Sequence, residues 1–439
     1  MDVARPSLTL VGMPVQINFM SIDPGQADPQ GFPQSGDHSG TEWMRFAQSI
    51  YPEIFKFIGD EEWLNDPVGE LAVHWNVARG QSATRLINLA WTLNQLLIRV
   101  APHYRQLLKP KITALFRGRP MVFEENLAEL EVGSVLSCNF EQFTLEPLVP
   151  AELIADPEKP PSPDFGIEVP EGLVLVDATV WHWEHLSAWH RMRTAVKERL
   201  FGAVDKRKVG RDVLLHLPIK PSSDALESIA SRSLCDKIAD SESGEEVVDV
   251  GASRPARISW TSFEPPSTLG WNPARIPRFT EPPIDPALVV KSHPYVIVET
   301  KMPGPPTFGL LHITTELCLT EKDVEDGLRS LREALDRKKR QASARPDLPY
   351  LVAVHLYSGS AEWNEFMPLI EERLWPNQRY RWLSGILAHD PEPARLTASP
   401  MSGLPTLFLV PNPNANVPTP ISLLSANPDA PYDEERLGP

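Results

Sequence analysis

The stretch FGIEVPEGLVLVDATV, residues 165–180, constrains the fold more than any other part of the chain. Two short apolar runs flank Pro170-Glu171-Gly172, which is the pattern of a β-hairpin. Before it, FEENLAELEVGSVLSCN spaces Leu127, Leu130, Val135 and Leu136 at a helical period, and FTLEPLV alternates as a strand does. After it, HLSAWHRMRTAVKERLFGAV predicts a helix and RDVLLHLPI a buried strand. SSDALESIASRSLCDKI predicts another helix, EEVVDVGASRPARISW and YVIVETKM strands, and EKDVEDGLRSLREALDRKKRQ a long charged helix. PYLVAVHLY, EWNEFMPLIEERLW and WLSGILAHD continue as strand, helix and strand. Such alternation implies an α/β (α+β) chain with a mixed central sheet flanked by helices.

The flanks differ in kind. Residues 1–40 hold a proline- and glycine-rich stretch with almost no large apolar side chains and are expected to be disordered. Residues 41–108 form a helical N-terminal region: Trp43, Phe46, Ile50, Ile54 and Phe57 share one helical face, and a second apolar helix runs from Ser82 to about Val100. The α/β domain is expected over 109–395. A proline-rich tail, 396–439, holds one strand candidate, TLFLV. The 46 prolines, about twice an ordinary share of 439 residues, predict long stiff connections.

Charge and cysteine usage exclude several classes. A formal net charge of −16 argues against a general nucleic-acid coat, because non-specific binding draws on Lys and Arg neutralising phosphates. It leaves room for a local basic groove. Cys138, Cys235 and Cys318 share no ligand or disulfide spacing. The longest apolar helix carries Arg85, Asn88, Asn94, Gln95 and Arg99, so no membrane span is expected, and a cytoplasmic location follows as the default. Neither a glycine-rich phosphate loop nor a Gly-x-Ser-x-Gly elbow is present.

One constellation can carry chemistry. Pro163-Asp164 opens the first hairpin strand, and Asp177 lies thirteen residues later on the second. Strand-borne carboxylates supply hard oxygen ligands for Mg²⁺ or Mn²⁺, which polarises a phosphodiester while a nearby amine stabilises developing charge. The period-2 geometry of LVLVDATV puts Asp177 and Thr179 on one face. This arrangement resembles the PD-(D/E)XK nuclease superfamily, from the helix with Glu129 and Glu131 through Pro163-Asp164 to VDAT and the elements that follow. The resemblance implies a restriction-endonuclease-like fold, metal-dependent hydrolysis of DNA or RNA, metal ligands at Asp164 and Asp177, and a supporting role for Glu129.

It also implies a lysine where Thr179 stands. An active site therefore needs an amine from elsewhere, with Lys197 and Arg193 on the following helix as the nearest in sequence. Asp285, Glu299 and Lys301 spell a second, literal triad, and Lys301 offers another route to the missing amine. The alternative class is an inactive nuclease-fold scaffold, with protein partners meeting the N-terminal helical region. His182, His185 and His190 with Glu184 could reach a metal, though such clusters more often pack a strand-to-helix corner. The runs Lys206-Arg207-Lys208 with Arg211, and Arg337-Lys338-Lys339-Arg340, could line a phosphate groove or remain solvated faces.

Overall fold

The computed structural model describes residues 15–17, 92–117, 120–147, 162–218, 225–251, 255–264, 277–280, 288–291, 295–297, 309–343, 345–356, 363–390 and 405–425. Its elements run β1 (Val15–Ile17), α1 (Arg105–Arg117), α2 (Pro120–Asn139), β2 (Phe143–Leu145), β3 (Phe165–Val169), β4 (Gly172–Trp181) and α3 (Glu184–Arg207). Then follow β5 (Gly210–Pro218), α4 (Ala225–Ile229), α5 (Arg232–Asp240), β6 (Ser243–Val248), β7 (Ala256–Phe263), β8 (Leu288–Lys291), β9 (Tyr295–Ile297) and β10 (Leu310–Leu319). The chain continues through α6 (Glu321–Ala342), β11 (Tyr350–Leu356), α7 (Trp363–Leu369), β12 (Gly385–Asp390), β13 (Thr406–Pro411) and α8 (Ile421–Ser425). This is a mixed α/β protein with two mixed sheets. No helix among the described residues is long and apolar enough to cross a membrane.

The chain divides into two compact units, 1–180 with 335–355 and 371–439, and 181–334 with 356–370. The first holds a seven-stranded sheet in the order β1-β13-β12-β11-β4-β3-β2. β2, β3 and β4 form an antiparallel meander, β11 and β12 are parallel, and β13 pairs antiparallel with both β12 and β1. TLFLV thus becomes a strand inside the sheet, because Leu407 and Leu409 bury their side chains in its core. That core packs Leu108, Ile112 and Leu115 of α1 and Leu130, Val135 and Leu136 of α2 with Val174 and Val176 of β4 and Leu351 and Ala353 of β11. The alternate residues of β4, including Asp177, point away from that core, as the period of a strand requires.

The second unit holds the sheet β6-β7-β5-β10-β8, with β9 also paired to β10. β5 and β10 are parallel, although the other pairings are antiparallel. Val196, Leu200, Ile229, Cys235 and Ile238 from its helices meet Val213, Leu215, Ile258 and Ile313 from its strands. The stretch predicted as one helix over SSDALESIASRSLCDKI is two, α4 and α5. The break falls where the Ser231 hydroxyl accepts the Leu234 N–H and starts a new helix. The buried Arg211 guanidinium closes the other end of α5, donating to the carbonyls of Ile238 at 2.7 Å and Ala239 at 2.6 Å.

Candidate functional site

Hairpin register brings the two aspartates together. β3 and β4 pair Phe165 with Val176, so continuing the ladder one step sets Asp164 opposite Asp177. The thirteen-residue spacing in sequence is the arithmetic of that register. Each carboxylate accepts a main-chain N–H from the other strand. Asp164 N–H donates to Asp177 Oδ1 at 3.0 Å, and Ala178 N–H donates to Asp164 Oδ2 at 2.8 Å. This reciprocal clasp fixes both side chains before any ligand is considered.

Four further side chains complete the cluster, all within the first unit. Lys338 Nζ, from the last turns of α6, lies 3.4 Å from Asp164 Oδ2 and 3.7 Å from Asp177 Oδ1. The Tyr350 hydroxyl, at the start of β11, donates to Asp177 Oδ2. Glu129 on α2 is ion-paired with Lys111 of α1, and its charge is felt by Lys338. Together Glu129, Asp164 and Asp177 face Lys111 and Lys338, leaving the cluster one formal charge negative.

The electrostatics follow from burial. Asp177 is fully buried, and desolvation followed by the neighbouring Asp164 carboxylate pushes its pKa up to about 7, despite Lys338 and the Tyr350 hydroxyl. Burial and then Asp164 also raise Glu129, with Lys111 opposing. Desolvation works against the Lys338 charge, but Asp164 and Asp177 outweigh it and hold the ammonium above the ordinary lysine range. Acids raised and an amine held charged are the signature of a carboxylate cluster short of positive charge.

The cluster opens into a cavity of about 690 Å³. Glu125, Asn126 and Glu129 of α2 stand on one wall, and Arg337, Lys338 and Arg340 of α6 on another. Thr179 lines it too, half-buried beside the aspartates. Gln341 anchors α6 here by donating to the Ser162 carbonyl at 3.0 Å. A space of this size takes a nucleotide-sized ligand.

No family model, curated protein or solved structure matches the chain. The function must therefore be argued from the site alone.

The expected site residues fall into three groups. Asp164, Thr179 and Glu129 line one cavity, and the fully buried Asp177 is joined to Asp164 by the hairpin clasp. Lys197 belongs to α3 of the second unit and is not among the residues lining that cavity. The Arg193 side chain and the second triad, Asp285, Glu299 and Lys301, lie outside the described residues, as do the side chains of His185 and His190. Of the basic runs, Arg207 is tied to Asp236 and Asp240 and Lys208 to Asp205, whereas Arg337, Lys338 and Arg340 face the cavity.

Sequence reasoning had Lys338 only as part of a basic run that could line a phosphate groove, not as the amine beside the aspartates, yet a signal for its inward position exists. The buried apolar positions of α6 include Val324, Leu328, Leu331, Leu335 and Ala342, and the half-buried Lys338 falls between the last two, in register with that stripe. A basic run reads as solvated only until its register against the apolar stripe is counted. Tyr350 carried no signal beyond an apolar strand that begins with a hydroxyl.

The donor set suits a hard divalent cation: carboxylate oxygens and no soft ligand. Among the described residues no three His, Cys, Asp or Glu side chains form a ready-made metal cage. The two clasped aspartates would be the protein ligands, with remaining positions left to solvent and substrate, as is usual for Mg²⁺.

Proposed function

We propose that this chain is a metal-dependent phosphodiesterase acting on nucleic acid, built on a restriction-endonuclease-like core. That core comprises α2, the meander β2-β3-β4, the last turns of α6 and β11, with the helical region before it as an extension. One observation carries the reading: the amine absent at Thr179 is supplied in space by Lys338, 3.4 and 3.7 Å from the two aspartates. An ammonium in that place meets the chemical requirement that the sequence motif leaves unfilled, since a functional group need only arrive in position.

In this reading each residue has a task. Asp164 and Asp177 hold the cation, and the clasp between them fixes both carboxylates side by side. Mg²⁺ or Mn²⁺, when bound, polarises the phosphoryl group and lowers the pKa of attacking water. Lys338 stabilises charge developing on the phosphoryl oxygens. Glu129, its pKa raised, accepts the proton of a water at the cavity wall. Arg337 and Arg340 present guanidinium donors to the substrate backbone from the same wall.

The test is incubation of the full chain with plasmid DNA and with RNA in Mg²⁺ or Mn²⁺. Cleavage abolished by Asp164→Ala and lowered at least about a hundredfold by Lys338→Met supports the assignment. Cleavage that survives both variants refutes it. Absence of cleavage on any substrate and metal favours the inactive scaffold.

A further inference from the structure

Lys338 is more than a neighbour of the aspartate pair. Its ammonium approaches Asp164 Oδ2 and Asp177 Oδ1, the oxygens that the hairpin clasp also engages. It is the cation that offsets two carboxylates set opposite one another in a buried register. An incoming divalent ion needs the same carboxylate pair. With both lysines kept in place, such an ion would turn a cluster one charge negative into one a charge positive, within a partly desolvated pocket where like charges repel strongly.

Lys338 has somewhere else to go. It lines the cavity as well as the aspartates, its stem carries four flexible carbons, and Arg337 and Arg340 mark the adjoining wall as cationic. We propose that Lys338 is an exchangeable counter-ion: it holds the aspartate pair in the metal-free chain, yields that place to the metal, and turns into the cavity to meet the substrate phosphate. The site is thereby gated, because metal entry is what releases the amine for substrate. This inference rests on the metal-dependent reading of the same cluster and adds competition between the lysine and the metal.

The experiment measures Mn²⁺ affinity of the full chain without substrate, following the electron paramagnetic resonance signal of free Mn²⁺. Wild type, Lys338→Gln, Lys338→Arg and Asp177→Asn are compared. Lys338→Gln is expected to bind Mn²⁺ about tenfold tighter than wild type. Lys338→Arg should stay within about threefold of wild type, and Asp177→Asn should lose binding. Thermal melts in a chelator guard against misfolding: Lys338→Gln should melt below wild type without metal and be raised more than wild type by Mn²⁺. Equal or weaker Mn²⁺ binding by a folded Lys338→Gln, with wild type still binding, overturns the exchange and leaves the metal reading standing. Failure of wild type and Lys338→Gln alike to bind Mn²⁺ removes both.

Discussion

Replacing Asp177 with Asn should stabilise the protein while destroying its proposed function. The carboxyl group is fully buried, and its pKa rises from 3.8 to about 7 on folding, chiefly through desolvation. Because the folded value is the higher one, the native state favours the protonated form. The group imposes no penalty below the unfolded pKa, and the penalty grows as pH rises through the window up to about 7. The full shift corresponds to about 4 kcal/mol. Asn fits the hydrogen bonds with one adjustment: its carbonyl accepts the Asp164 N–H, and its amide donates to a rotated Tyr350 hydroxyl. At about pH 8 the variant should gain roughly 2–4 kcal/mol, and at about pH 4 less than 1 kcal/mol. Native-state hydrogen exchange on peptides from β4 and β11 reads this without assuming that both units unfold together. A stability difference that stays flat with pH, or Asp177→Asn weaker than wild type at high pH, refutes the argument that the site stores an unfavourable buried charge.

His389 sets the opposite limb. Fully buried, it is held down to about 3 by desolvation, so its stability contribution is present above the ordinary histidine range and lost as pH falls through the interval toward 3. Thermal melts of His389→Gln should therefore flatten the acid side of the pH profile of the first unit, with little change near pH 8. In the second unit, a methyl group at Gly309 would come within 2.5 Å of the Asp205 Cα and the Val204 carbonyl, backbone that cannot turn aside. Gly309→Ala should cost about 1–3 kcal/mol in urea unfolding, with exchange protection lost first from β10 and α3.

The parts of the site set by local geometry were legible. A hairpin whose turn and strand lengths can be counted fixes which residues face each other, so Asp164 and Asp177 could be paired from thirteen residues of separation. Helical period predicted the helix that carries Glu129, and its place in the site came only from the family resemblance. Lys338 could not be placed beside the aspartates, because it lies 174 residues after Asp164 in the chain and sequence distance carries no information about that return. Lys197 stood close in sequence for the same reason that it misled: the chain leaves the site at Val180 and enters the other unit. TLFLV was legible as a strand from its apolar run despite the proline-rich context, but not its place between two neighbours in the sheet.

The interrupted first unit has a consequence during synthesis. β4 finishes pairing with β3 as soon as the hairpin emerges, but its other neighbour, β11, begins only at Tyr350, about 170 residues later. At ~5–20 residues per second, that edge stays open for roughly 10–30 s, while the intervening unit is already long enough to collapse on its own. For that interval the nascent chain exposes an apolar strand edge and an acidic pair with no lysine beside it. Cells making this protein must shield that edge or outrun its self-association, and a slowed ribosome between residues 180 and 350 should lower the yield of folded chain more than the same delay elsewhere.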